Sequence, residues 1–147
     1  MLELVVVFAI IVLLASVIIT SFSKFRNTKV LDTGVENTLS ALTKARGNTL
    51  SSKNAYQYGV HFEASQAVLF RGATYSSSDT NNEATVLDSA LEIYPIPPSL
   101  TGGGSDILFD RLTGKTSQNG TIVIRVKSDT SKTKTITINA TGIASAN

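Results

Sequence analysis

The stretch MLELVVVFAIIVLLASVIITSF, residues 1–22, determines how the rest of the chain is interpreted. Its central part, residues 4–19, is apolar at every position except Ser16, and Glu3 is the one charged residue of the stretch. A helix needs about 20 apolar residues to cross the hydrocarbon core of a bilayer, which is about 30 Å thick. We therefore predict that residues 1–22 form a single-pass helical segment in a membrane or in the core of a filament. The residues assigned to the membrane segment are Leu4, Val5, Val6, Val7, Phe8, Ile10, Ile11, Leu13 and Leu14.

Two other interpretations of this run agree less well with its flanks and length. A secretory signal peptide has a basic beginning and a small-residue cleavage site, and neither borders the run. A helix that is apolar on all faces has to be enclosed on all faces. A remaining body of roughly 100 residues buries too little surface to do so.

Glu3 needs an explanation, because a charged side chain near the centre of a bilayer costs about 2.5 kcal/mol or more. The simpler explanation is a carboxylate beside the positive end of the helix dipole. The functional explanation is that Glu3 pairs with a cation from another molecule.

The order Met1-Leu2-Glu3-Leu4, followed by the apolar run, resembles the mature N-terminal segment of type IV pilins and pseudopilins. The resemblance implies a subunit of the bacterial inner membrane, with its head in the periplasm or outside the cell, that is drawn into a pilus or pseudopilus. Glu3 would then pair with the N-terminal amine of an adjacent subunit. The implied partners are other pilin or pseudopilin subunits, the inner membrane and a prepilin peptidase. The basic leader, which is not in this sequence, is expected to be encoded upstream.

Beyond residue 22 the apolar residues become one-sided. Leu31, Val35, Leu39 and Leu42 are spaced by four, four and three residues, which is one stripe of a helix. Polar residues, Thr38 among them, occupy the other faces. We predict that the helix continues to about Leu50 and that this half packs on a sheet.

The remaining chain alternates apolar and polar residues in short runs typical of strands. Tyr58, Val60 and Phe62 share one face of a first strand, and residues 72–85 are predicted to be a surface loop. A later pair of strands points its apolar side chains inward at Ile122, Ile124, Val126, Ile136 and Ile138. The predicted fold is α+β: a long N-terminal helix with a membrane-embedded first half, packed on a C-terminal antiparallel β-sheet in a head of residues 23–147.

The C-terminal part of the sequence resembles one particular group of the pilins and pseudopilins. A strand with Phe109, a Thr113-Gly114 turn, two Ile-rich strands and a final Thr-Gly-Ile around Gly142 resemble the GspH/FimT group. These proteins are minor pilins of type IV pili and minor pseudopilins of type II secretion. The expected function is therefore that of a structural, minor subunit of such a filament, without enzymatic activity.

The residue types leave little basis for catalysis or cofactor binding. The chain has no cysteine and one histidine, His61, so neither a thiolate site nor a histidine-based metal cluster is expected. Asp106 and Asp110, four residues apart on a strand, would be separated by about 13 Å, too far for an acid–base pair. The glycines of TGGGS lack the Lys-Ser/Thr that completes a phosphate-binding loop. We predict no catalytic residues, no metal and no cofactor.

The charges are unevenly distributed: residues 1–53 carry a net +3, residues 54–110 a net −6 and residues 111–147 a net +5. In the last block Arg125, Lys127, Lys132 and Lys134 lie in one predicted hairpin that could contact phosphates. A DNA-binding minor pilin is therefore an alternative. A membrane-tethered β-domain that does not polymerise is a further one, and it would have no use for Glu3.

Overall fold

One long helix runs through the chain's N-terminal third. The computed structural model describes residues 2–147, and the side chains of residues 16–24 are not among those it describes. Helix α1 spans Leu2–Leu50, the bounds expected from the sequence. A short 3₁₀ turn over Lys53–Ala55 follows it and leads into the first strand.

The second half of α1 packs on the β-rich head along the predicted stripe. Leu31, Val35 and Leu42 are buried, and Leu39 is partly buried against the same core. Thr38, expected on a polar face, is instead fully buried. It lies three residues after Val35 and four before Leu42, hence on the stripe, and its hydroxyl donates to the carbonyl oxygen of Gly34 at 2.8 Å.

The head contains two antiparallel sheets. The first, in the order β3-β2-β1-β6, consists of β1 (Tyr58–Glu63), β2 (Gln66–Arg71), β3 (Glu83–Val86) and β6 (Asp106–Leu108). The second, in the order β4-β7-β8-β9 with β5 beside β7, consists of β4 (Leu91–Ile93), β5 (Ser99–Leu100), β7 (Gly120–Val126), β8 (Asp129–Ile138) and β9 (Ala144–Ala146).

The predicted inward faces are confirmed in both sheets. Tyr58, Val60 and Phe62 of β1 are buried, and Ile122 of β7 lies opposite Ile136 of β8. The side chains of both sheets and of α1 form one apolar core. Strand β8 begins at Asp129, so only two residues connect it to β7 in the predicted hairpin. Strand β3 begins inside the predicted loop of residues 72–85.

Ion pairs and a close approach fix α1 on the two sheets. Lys44 pairs with Glu83 at the edge of the first sheet, and Asp32 Oδ1 lies 2.7 Å from Lys134 Nζ in the second. A Cβ on Gly34 would lie 2.5 Å from Leu91 Cδ1. A glycine at this position therefore lets the helix lie closely against β4.

The predicted fold class is wrong, because it places the strands in one antiparallel sheet and the head has two. After Val86 the chain leaves the first sheet and forms β4 in the second, and only at Asp106 does it return to pair with β1. Alternating apolar residues identify the buried face of a strand but not its neighbours. The sequence pattern therefore could not separate two sheets from one.

The predicted membrane-embedded half is also wrong, and with it the assignment to the bacterial inner membrane as a single-pass protein. Among the residues that the structure describes, no helix is long and apolar enough to cross a membrane. The apolar residues described with their side chains, 2–15, extend about 21 Å, whereas the hydrocarbon core measures about 30 Å. Residues 16–22 of the predicted segment lie outside the described side chains.

Candidate assembly surface

The first half of α1 presents apolar side chains that the head does not cover. We call residues 2–15 the apolar arm. All of these residues are exposed, and the exposed fractions of the large apolar side chains among them run from 49% at Val6 to 83% at Leu2. The large apolar side chains of the arm are Leu2, Leu4, Val5, Val6, Val7, Phe8, Ile10, Ile11, Val12, Leu13 and Leu14. Exposed apolar patches of this kind are typical of interaction sites.

Glu3 is the one charged residue of the arm, and it lies in the first turn of α1. Its side chain is exposed, and no cation of the described residues lies within ion-pair distance of it. A carboxylate in the first turn is favoured by the helix dipole. The partner that the pilin resemblance implies for Glu3 is the N-terminal amine of an adjacent subunit, and this pairing stays a prediction.

A groove lies where α1 meets the head. We call it the shoulder groove: a cavity of about 410 Å³ between the helix and the end of β3. The helix contributes Lys29, Val30, Thr33, Gly34 and Asn37, and the other wall is formed by Val86, Leu87 and Asp88. The Val86 side chain at its edge is 66% exposed.

The four basic residues predicted to contact DNA are not brought together. Arg125 pairs at 2.7 Å with Glu92, and its guanidinium lies 3.5 Å from the ring centre of Tyr94. Lys134 is the register partner of the inward-facing Ile124, so its side chain lies on the other face of the sheet from that of Arg125. There Lys134 pairs with Asp32.

Lys127 Nζ donates to the carbonyl oxygen of Ser89 at 2.9 Å, and Lys132 is half-buried near the start of β8. Together with the ion pairs of Arg125 and Lys134, this arrangement forms no continuous row of cations. DNA contact by these four residues stays a prediction.

A polar cluster on the first sheet was not predicted from the sequence. His61 Nδ1 lies 2.5 Å from Asp106 Oδ1, and His61 Nε2 lies 3.9 Å from Glu63 Oε1. The imidazole stacks on the Tyr75 ring, with centroids 3.9 Å apart and an interplanar angle of 8°. Burial, and then the charge of Glu63, raises the pKa of Tyr75.

This cluster can join β1, β6 and the loop before β3, since its members come from all three. No set of His, Asp and Glu side chains in the described part of the chain is arranged to hold a metal ion. No local sequence signal reveals this cluster, because Asp106 comes beside His61 only through the register of β1 and β6.

The candidate interaction surface therefore consists of the apolar arm, Glu3 and the shoulder groove. Comparison with known proteins adds no name for that partner. No protein-family model, no curated protein and no solved structure matches this chain.

Proposed function

We propose that this chain is a structural subunit that assembles with further pilin-like subunits through its apolar arm, as a component of a pilus or pseudopilus. The observation that carries the proposal is the exposure of residues 2–15 on a helix that continues without a break into the head. The resemblance of residues 1–22 to the pilin N-terminus supports the same reading. The proposed role is structural and not enzymatic.

The energetic reason for assembly is the apolar area of the arm. Covering apolar surface contributes about 25 cal/mol for each Å² removed from water, and the backbone groups inside a helix already have hydrogen-bond partners. Two such arms can therefore pack side by side with little polar cost.

Glu3 is the exception in that interface. A carboxylate transferred into an apolar contact is strongly unfavourable unless a cation pairs with it. A pairing requirement of this kind permits one alignment of neighbouring subunits and disfavours others. Glu3 thus supplies direction to an otherwise non-directional apolar contact.

The continuity of α1 gives assembly a consequence for the head. Leu2–Leu50 is one helix, and Leu31, Val35 and Leu42 bury its second half in the core of the head. The position of the arm therefore determines the position of the head. Arms packed in a bundle would hold the heads around it as an outer layer.

Cysteine cross-linking tests the proposal, because the natural chain has no cysteine. We expect Val7→Cys, at a side chain 53% exposed on the arm, to form oxidised dimers at high yield within filaments visible by negative-stain electron microscopy. The matched control is Leu112→Cys, at an apolar side chain of the head that is 84% exposed. It should assemble equally well and give few dimers.

Equal cross-linking at both positions, or amorphous aggregates in place of filaments, would contradict ordered assembly through the arm. A parent chain that sediments as a monomer at all concentrations would contradict the proposal altogether.

A further inference from the structure

The shoulder groove has features that suit one particular occupant. Along the helix its lining extends from Lys29 to Asn37, which is about 12 Å or two helical turns. Val30 and Leu87 supply the apolar part of its lining, Thr33, Asn37 and Asp88 the polar part, and Val86 is exposed at its edge. Phe25, one turn before Lys29, is 62% exposed and extends the apolar surface toward the N-terminus.

The groove carries a cation that has no carboxylate partner within ion-pair distance among the described residues. Lys29 Nζ lies 5.9 Å from the Phe25 ring centre, a long contact on the helix surface. Asp32, the acid nearest to it along the helix, is paired with Lys134 at 2.7 Å.

The acid on the other wall is engaged locally. Asp88 Oδ1 accepts a hydrogen bond from the backbone N–H of Ala90 at 2.8 Å, within the turn before β4. The groove therefore offers a mixed polar and apolar lining, and its cation Lys29 has no described carboxylate within ion-pair distance. The apolar arm offers apolar side chains and one available negative charge, Glu3.

We propose that the shoulder groove of one subunit receives the apolar arm of another copy and that Lys29 pairs there with Glu3. This inference rests on the proposed function and names the receiving surface and the ion pair. The N-terminal amine implied by the pilin resemblance is a different partner for Glu3. The two assignments make different predictions for variants of Lys29.

Charge reversal tests the pair. Glu3→Lys alone and Lys29→Glu alone should each lower the yield of sedimentable filaments by about tenfold or more, because each places like charges in contact within an apolar interface. The combined Glu3→Lys/Lys29→Glu chain should return to within about threefold of the parent. Both side chains are exposed, so thermal unfolding of the head should be unchanged in all three variants.

The matched control is Arg26→Glu, a charge reversal at an exposed cation of the same helix that does not line the groove. Combined with Glu3→Lys, it should not restore filaments. Normal assembly of Lys29→Glu, failure of the double variant, or equal rescue by Arg26→Glu would each overturn the Lys29 pairing. These results leave the proposed function standing, which fails instead if the parent chain does not assemble.

Discussion

The two halves of helix α1 share a backbone conformation and differ in what covers them. In the arm, residues 2–15, the side chain of Phe8 is 60% exposed, whereas in residues 25–50 that of Leu42 is 1% exposed. The one-sided pattern of the second half is matched by a sheet surface within the same chain. The all-round apolar pattern of the arm has no such counterpart in the head. This difference in cover within one helix is the basis of the proposed assembly, and it can be tested by substitutions in each half.

The largest effect is expected where the helix meets the core. Leu42→Ala should lower the free energy of unfolding by about 2–5 kcal/mol, because it leaves a cavity in a close-packed interior. Leu14→Ala, at a side chain 60% exposed in the arm, should change it by less than about 0.5 kcal/mol. Urea unfolding of the monomeric chain followed by circular dichroism measures both. Similar losses would mean that the arm also contributes to the fold of the head.

A smaller effect is expected at the end of the second half. Thr49 is fully buried, and its hydroxyl oxygen accepts a hydrogen bond from the backbone N–H of Tyr58 at 2.9 Å. Thr49→Val should cost about 1–3 kcal/mol, since it leaves that buried donor without a partner.

The control for this variant is Thr38→Val. Thr38 is equally buried, but its hydroxyl donates to a helix carbonyl. Its loss should cost less than about 1 kcal/mol. Equal costs in urea unfolding would show that the Thr49–Tyr58 bond has no special role in joining the helix to β1.

The two glycines of the second half should respond differently to the same substitution. Nothing lies within 4 Å of a Cβ built on Gly47, so Gly47→Ala should raise stability by about 0.5–1 kcal/mol through helix propensity. Gly34→Ala should lack this gain, because its Cβ would lie 2.5 Å from Leu91 Cδ1. Differential scanning calorimetry compares the melting temperatures. An equal rise for both variants would show that α1 can move away from β4 without cost.

The smallest effect is a pH dependence of the ion pair between the helix and the second sheet. The hydrogen bond from Lys134 lowers the pKa of Asp32 from its ordinary value of 3.8. The pair's contribution to stability is therefore present above that value and is lost as the pH falls through the lowered pKa.

Asp32→Asn tests this sign. The stability difference between the parent and Asp32→Asn should be constant near neutral pH and should shrink as the pH falls below about 4. Urea titrations at several pH values measure it. A difference that grows on acidification would contradict the pairing of Asp32 with Lys134.

Local patterns were sufficient to predict the parts of the fold that depend on neighbours in sequence. The three-and-four spacing of Leu31, Val35 and Leu42 predicted the buried stripe, and alternation at Ile122 and Ile124 predicted the inward face of β7. The run of apolar residues at the N-terminus predicted the position of the arm. The described residues of the head do not cover the arm, so its packing partner stays a prediction.

Features that depend on distant pairing were missed. Strand β6 pairs with β1 across the whole of β2 to β5, and this register brings Asp106 beside His61. Strand β3, Glu83–Val86, has no buried residue, and its alternation is limited to Ala84 and Val86, which is too short to distinguish it from the polar loop before it. The division of the strands into two sheets was missed for the same reason, since the pairing partners of a strand leave no local signal in its sequence.

Helix α1 also bears on the order in which the chain can fold. The helix precedes every strand, yet it is fixed by residues far along the chain: Arg46 Nε donates to the carbonyl oxygen of Gly114, 68 residues away, and Asp32 pairs with Lys134 in β8. Contacts of such long sequence separation slow folding. In a chain made from its N-terminus, the stripe of Leu31, Val35 and Leu42 is complete before the strands that bury it exist. The head therefore acquires its core only near the end of synthesis, and until then both halves of the helix expose apolar residues.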